Sequence, residues 1–262
     1  PEVGKDDWEK WILELSHEAN KIDPADVLRT LNEDRAVAEF PKIQALDAVE
    51  AEVSERRKYY RETIKEAMDR LSTDKMIQVI KDVVVTATAS GTKPAPMLID
   101  GLVDSFEVGV RPFLDREADN ARKLLKTAHD SAASGEGVVK PLLDKLEQVV
   151  RNWDKVAKPI QINMNVRGIE HEQSKELAYE IRSLGVDLFN KHGMLEQAQR
   201  VTNLLQEVFS ELPEVVDRLG EDAKAIDNIF GERKQAKLQI AQWEKDITYE
   251  VEIGLVFKDT LR

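Results

Sequence analysis

The 262-residue sequence contains no cysteine. That absence removes disulfides, thiolate zinc sites and thiol nucleophiles together, and it fits a reducing compartment, so a cytoplasmic location is expected. Aromatic residues make up only 6% of the chain, against 42% hydrophobic and 34% charged residues, which is the composition of long amphipathic helices rather than of a β-sandwich. Long apolar runs are missing too. Residues 83–90 carry no charge and residues 97–102 are largely apolar, but Lys93 and Asp100 interrupt them, and a spanning helix needs about 18 or more apolar residues. Residues 1–7 are largely polar, with no cationic segment ahead of an apolar one, so they do not read as a signal peptide. The chain begins at Pro1 and stops soon after the apolar run 251–257, so both termini read as cut ends of a longer polypeptide.

Positive charge is in short supply. Thirty-eight Lys and Arg stand against 50 Asp and Glu, for a net charge of −12 and a pI near 5.0. Such a surface repels phosphate backbones and anionic lipid headgroups, so neither nucleic acid nor a membrane is the expected partner. Arg56, Arg57, Lys58 and Arg61 form a local basic cluster, but Glu52, Glu55, Glu62 and Glu66 interleave with it as on a salt-bridged helix face.

Catalytic signatures are equally scarce. His171-Glu172 begins like the zinc-protease helix motif, yet Lys175 stands where the second histidine belongs, and His17-Glu18 fails in the same way at Lys21. A carboxylate-bridged metal pair in a helical bundle needs two Glu-x-x-His units; Glu14 to His17 is the one present. Asp115, Glu117 and Asp119 are spaced so that a helix scatters them about its axis. No phosphate-binding loop, dinucleotide fingerprint or Gly-x-Ser-x-Gly elbow occurs, and Ser134-Gly135-Glu136-Gly137 reads as an interhelical hinge. No cofactor and no metal site are expected.

What the chain does have is helical periodicity. Trp8, Trp11, Ile12 and Leu15 share a face, with Asp6 and Glu9 placed as a capping box. Asp23-Pro24 opens a second helix through Val27, Leu28 and Leu31. From Leu46 to about Leu71, apolar positions recur at heptad-like intervals in one long helix, and Thr73 or Asp74 caps the next. Residues 90–96 hold one glycine and two prolines and form a turn. A helical face then runs from Leu98 to about Ala133, kinked at Pro112 and ended by Gly135 and Gly137. Val138, Leu142, Leu146, Val149, Trp153 and Val156 mark a further amphipathic helix, with Pro141 in its first turn.

The pattern changes at Pro159. Ile160, Ile162, Met164 and Val166 alternate with polar residues, which predicts an extended linker and a domain boundary at 159–172. Helices resume near Ser174 and continue in segments to Asp246. Tyr249, Val251, Ile253, Leu255 and Phe257 alternate strictly and predict a strand. The expected architecture is mostly α: an elongated antiparallel helical bundle over 1–158, a linker over 159–172, and a second helical domain over 173–262, with minor β at the linker and the C-terminus.

Within that second half, Phe189, Gly193, Ala198 and Pro213 occupy positions that resemble one tetratricopeptide-type hairpin over residues 183–213, with the proline displaced by about three residues and no neighbouring repeat. Residues 181–262, including the ending Glu252-Ile253-Gly254-Leu255-Val256-Phe257-Lys258-Asp259-Thr260-Leu261-Arg262, resemble the helical region downstream of the J domain in bacterial DnaJ-like proteins of uncharacterised function. J-domain activity requires His-Pro-Asp, and the four histidines here are followed by Glu18, Asp130, Glu172 and Gly193. The resemblance therefore implies only the client-binding or targeting part of a co-chaperone.

Each tryptophan sits in a helical apolar pattern and is first read as core. Adjacent helical residues point about 100 degrees apart, so one of Tyr59 and Tyr60 faces outward. Tyr59, Tyr60, Phe189 and Trp243 are the candidate protein contacts. The sequence thus favours a non-enzymatic protein-interaction or scaffold module with a protein partner whose identity it does not specify. A membrane-active helical protein and an enzyme with a site of scattered carboxylates are the alternatives.

Overall fold

A computed structural model describes residues 7–260, with side chains described for all but 226, 227, 230, 233, 234, 237 and 246–260. The chain is mostly α, and no strand occurs among the described residues. The helices are α1 (Trp8–Lys21), α2 (Pro24–Val37), α3 (Leu46–Met68), α4 (Thr73–Ala87), α5 (Met97–Ser131), α6 (Glu136–Val166), α7 (Glu172–Asn190), α8 (Leu195–Val208) and α9 (Pro213–Thr260).

Local chemistry sets most of these boundaries. Asp23 accepts a hydrogen bond from the Ala25 amide at 2.9 Å, with Pro24 as the first helical residue of α2. Ser72, one residue before the expected caps, accepts from the Lys75 amide to start α4. The expected Asp6 cap lies outside the described residues. After α4, Ala89, Ser90 and Gly91 all adopt positive φ, and the buried Thr88 hydroxyl ties the turn down by accepting from the Gly91 amide and donating to the Val84 carbonyl. A short 3-10 turn, Ala132–Ser134, and Gly135 at φ +97° reverse the chain between α5 and α6. Gly137 lies inside α6, and Pro141 in its second turn.

α5 and α6 lie along each other and supply the centre of the molecule; α1, α3, α4 and α7 pack on α5, while α4 and α8 also pack on α6. One connected cluster of buried residues runs from Ile12 to Leu219 and crosses residues 159–172 without a break.

Two expectations about extended structure are corrected. α6 continues through Pro159 to Val166 and α7 begins at Glu172, so the linker is helical for more than half its length. The reason is burial on all sides: Pro159, Ile160, Gln161, Ile162 and Asn163 are consecutive and all buried. A helix enclosed by neighbours need not keep an amphipathic period, and two buried polar residues among isoleucines mimic the alternation of a strand. The C-terminal segment 249–257 is likewise helical, within α9. A strand must find backbone partners on a neighbour, whereas a helix satisfies its own, and no strand is present among the described residues to pair with. α5 also passes through Pro112 as one helix.

Candidate interaction surface

α7 and α8 form a helical hairpin. Gly193 turns the chain at φ +66°, its amide donating to the Phe189 carbonyl while Met194 donates to that of Leu188. The two helices touch because Gly185 has no side chain: a Cβ built there would lie 3.0 Å from Val201 Cγ1. α9 then lies across the pair, with Val215 and Leu219 buried and Ile229, like Phe189, packed on Leu195 and Ala198.

Between these three helices is an open cleft of about 240 Å³. Gly185, Val186, Phe189, Val201, Leu205 and Ala225 give it an apolar lining, and Arg182, Asn190, Thr202 and Asp222 lie at its polar margin. Arg182, Asp222 and Thr202 are engaged. Arg182 forms a two-pronged pair with Asp222, Nε to Oδ2 at 2.5 Å and Nη2 to Oδ1 at 2.8 Å, and Thr202 donates to the Ala198 carbonyl at 3.1 Å. The Asp222 hydrogen bonds raise the affinity of Arg182 for its proton, so the pair is a fixed ion pair and not an acid–base couple. Such a cleft offers shape, an apolar lining and a margin where Arg182 and Asp222 are paired with each other.

A second apolar cleft, about 180 Å³, lies between α3, α4 and α5, lined in part by Met68, Met76, Leu102 and Phe106. A polar depression of about 310 Å³ separates α6 from α8. There Arg200 bridges Glu147 and Asp144, and Arg151 meets Glu207.

The Ser174–His171 pair is structural in character. Gln161 Nε2 donates to Ser174 Oγ at 2.9 Å, and Ser174 Oγ meets His171 Nδ1. Burial lowers the His171 pKa, so the ring is neutral. Its ring lies 6.3 Å from that of Trp153, which in turn stacks at a tilt on Phe209, 5.9 Å away. Ser174 is completely buried at the start of α7, with His171 as the residue that precedes the helix, so the trio secures a helix end and presents no nucleophile to solvent. Nearby, burial pushes the Asp154 carboxyl up to about 7, with Glu211 adding to the rise and Lys158 opposing it. Lys158 and Glu211 are themselves paired at 3.1 Å. No cluster of three or more potential metal ligands occurs among the described residues, and no helix among them is long and apolar enough to cross a membrane.

The four expected contact residues are dispersed. Tyr59 is exposed on α3 while Tyr60 packs against the core, their rings 6.2 Å apart. Phe189 is half-buried on the cleft. Trp243 is 63% exposed on the outer part of α9, where every described side chain from 231 to 245 is exposed. The sequence reading missed Gly185, Arg182 and Asp222. A glycine on the apolar face of α7 was a usable signal for close helix approach; the Arg182–Asp222 pair, 40 residues apart, had none.

No protein-family model, curated protein or solved structure matches this chain.

Proposed function

We propose that the chain is a non-enzymatic protein-interaction module that takes an apolar peptide segment into the α7–α8–α9 cleft. The observation that carries this reading is the cleft itself: an open apolar trough with Phe189 on its wall and a rim whose charges are already neutralised by one another. A ligand entering it desolvates little unpaired polarity, so burial of its own apolar side chains is available as binding energy, about 25 cal/mol per Å². A more specific form of the reading rests on the resemblance of residues 181–262 to the region after the J domain, and makes the module the client-binding or targeting part of a co-chaperone.

Ala225 provides the test, because it is exposed and lines the cleft. Peptides selected from a display library against the whole chain are expected to be rich in large apolar residues. They should lose at least about tenfold in affinity, 1.4 kcal/mol, when Ala225→Trp fills the trough without touching the core. Failure to select any peptide, or selected peptides that bind the A225W chain equally well, would overturn the proposal.

A further inference from the structure

Residues 209–212 join α8 to α9 and are fastened to the body on two sides. On the apolar side Phe209 is completely buried, its ring 5.9 Å from that of Trp153, and Leu212 packs against the core. The polar side is an ion pair: Lys158 Nζ on α6 meets Glu211 Oε1 at 3.1 Å, with the two side chains only 25% and 18% exposed. Glu211 Oε2 accepts from the Ser210 hydroxyl at 2.7 Å. Backbone bonds close the corner, Leu212 donating to the Phe209 carbonyl, and Val215 and Val216 to that of Leu212.

Asp154 stands one helical turn before Lys158, on the same side of α6. Its Oδ1 is enclosed by protein and accepts no hydrogen bond. The charged groups facing it from other elements are Lys81 on α4, Glu207 on α8 and Glu211 in the corner. Glu207 is held by Arg151 of α6. Burial, together with Glu211 and Glu207, brings the Asp154 carboxyl up to about 7 against the pull of Lys158 and Lys81. His171, on the other face of this junction beside Trp153, is kept below its ordinary 6.5 by burial and stays neutral as Asp154 ionises.

One ammonium therefore serves two carboxyl groups of unequal freedom. Asp154 is fixed within a long helix, where its enclosed oxygen cannot turn to water. Glu211 sits in a short connection between helices, keeps a second donor in Ser210, and can swing towards solvent. We propose that Asp154, Lys158 and Glu211 form a proton-operated latch on the α8–α9 corner. With Asp154 protonated, Lys158 holds Glu211 and the corner is fastened to α6. When Asp154 gives its proton to solvent, its carboxylate takes the Lys158 ammonium and Glu211 is released, with repulsion among Asp154, Glu207 and Glu211 favouring the open corner. An acid that binds its proton more tightly in the closed form keeps the latch shut at low pH and opens it as pH rises through about 7. Because α9 starts at Pro213, the latch governs how its first turns, with Val215 and Leu219, are seated on the body.

The test follows amide resonances and amide hydrogen exchange of the whole chain between about pH 6 and about pH 8, with exchange corrected for its intrinsic pH dependence. In wild type, the Leu212, Val215 and Val216 amides are expected to exchange at least about tenfold faster at the upper pH, while that of Leu114 in the middle of α5 does not change. The corner resonances should titrate with the same midpoint as the Asp154 carboxyl. Asp154→Asn should hold exchange slow at both pH values. Lys158→Met and Glu211→Gln should each make it fast at both, and K158M should raise the Asp154 midpoint as well. Circular dichroism verifies that each variant keeps its helices; if K158M does not fold, D154N and E211Q carry the comparison. A wild-type corner indifferent to pH, or one that responds equally in D154N or E211Q, would overturn the proposal. So would equal acceleration at Leu114, which marks loss of the whole fold in place of a local release.

Discussion

The residues that hold this molecule in its present shape include several that work against their own preferences. Asp154 binds its proton more tightly folded than unfolded, because burial disfavours the carboxylate. An acid whose folded pKa is raised contributes fully below its unfolded value of 3.8, and that contribution is lost as pH climbs towards about 7. Asp154→Asn, which cannot ionise, is therefore expected to gain on wild type by about 1–3 kcal/mol between pH 5 and pH 8. Urea unfolding at the two pH values reads the gain directly, and a constant difference would mean that the carboxyl is solvated. Backbone conformation supplies a second pair of expectations. Ala89 and Ser90 adopt positive φ at 47° and 58°, so Ala89→Gly should raise stability by about 0.5–1 kcal/mol. Gly135, at φ 97° and ψ 171°, occupies a region essentially reserved for glycine, and Gly135→Ala should lower stability by about 1–3 kcal/mol. Thermal melts of the two variants should move in opposite directions. Gly135 was legible in the sequence as the end of a helix; Ala89 was not, because nothing about alanine announces a left-handed turn.

Helix identity was the most legible property of the elements, since each junction between the described α-helices carries a proline, a glycine or a capping side chain. α6 shows where that reading fails. The same alternation that suggests a strand at 160–166 comes from Gln161 bonded to Ser174 and from Asn163 fully buried beside Asp100. Periodicity reports a face turned to water, and residues 159–163 of this helix have none. The α7–α8 contact is the element-scale counterpart in the candidate site. Gly185→Leu should push α7 away from Val201, cost about 1–3 kcal/mol by overpacking, and distort the peptide cleft. Chemical denaturation together with the affinity of a selected peptide would register both effects. Retained stability and affinity would show that the hairpin tolerates separation at this point.

For the molecule as a whole, the buried cluster matters more than the expected boundary. Trp153 and Ile160 on α6 belong to the same core as Leu177 and Ile181 on α7 and Phe209 after α8. The body from α1 to the inner part of α9 should therefore unfold in one cooperative step, with far-ultraviolet dichroism and tryptophan fluorescence changing together. Two separated transitions would instead support independent halves. Overall charge reports only an average field; the pairing of Arg122 with Glu180, or of Arg200 with Asp144, depends on tertiary placement that no spacing in the chain reveals.

Trp153 has one more use. It is completely enclosed between His171 and Phe209, whereas Trp11 and Trp243 are open to solvent. A collisional quencher such as acrylamide reaches the outer rings first, leaving residual emission from the enclosed indole. The chain thereby carries an optical gauge, at the meeting point of α6, α7 and α8, whose signal reports the integrity of that junction without any attached label.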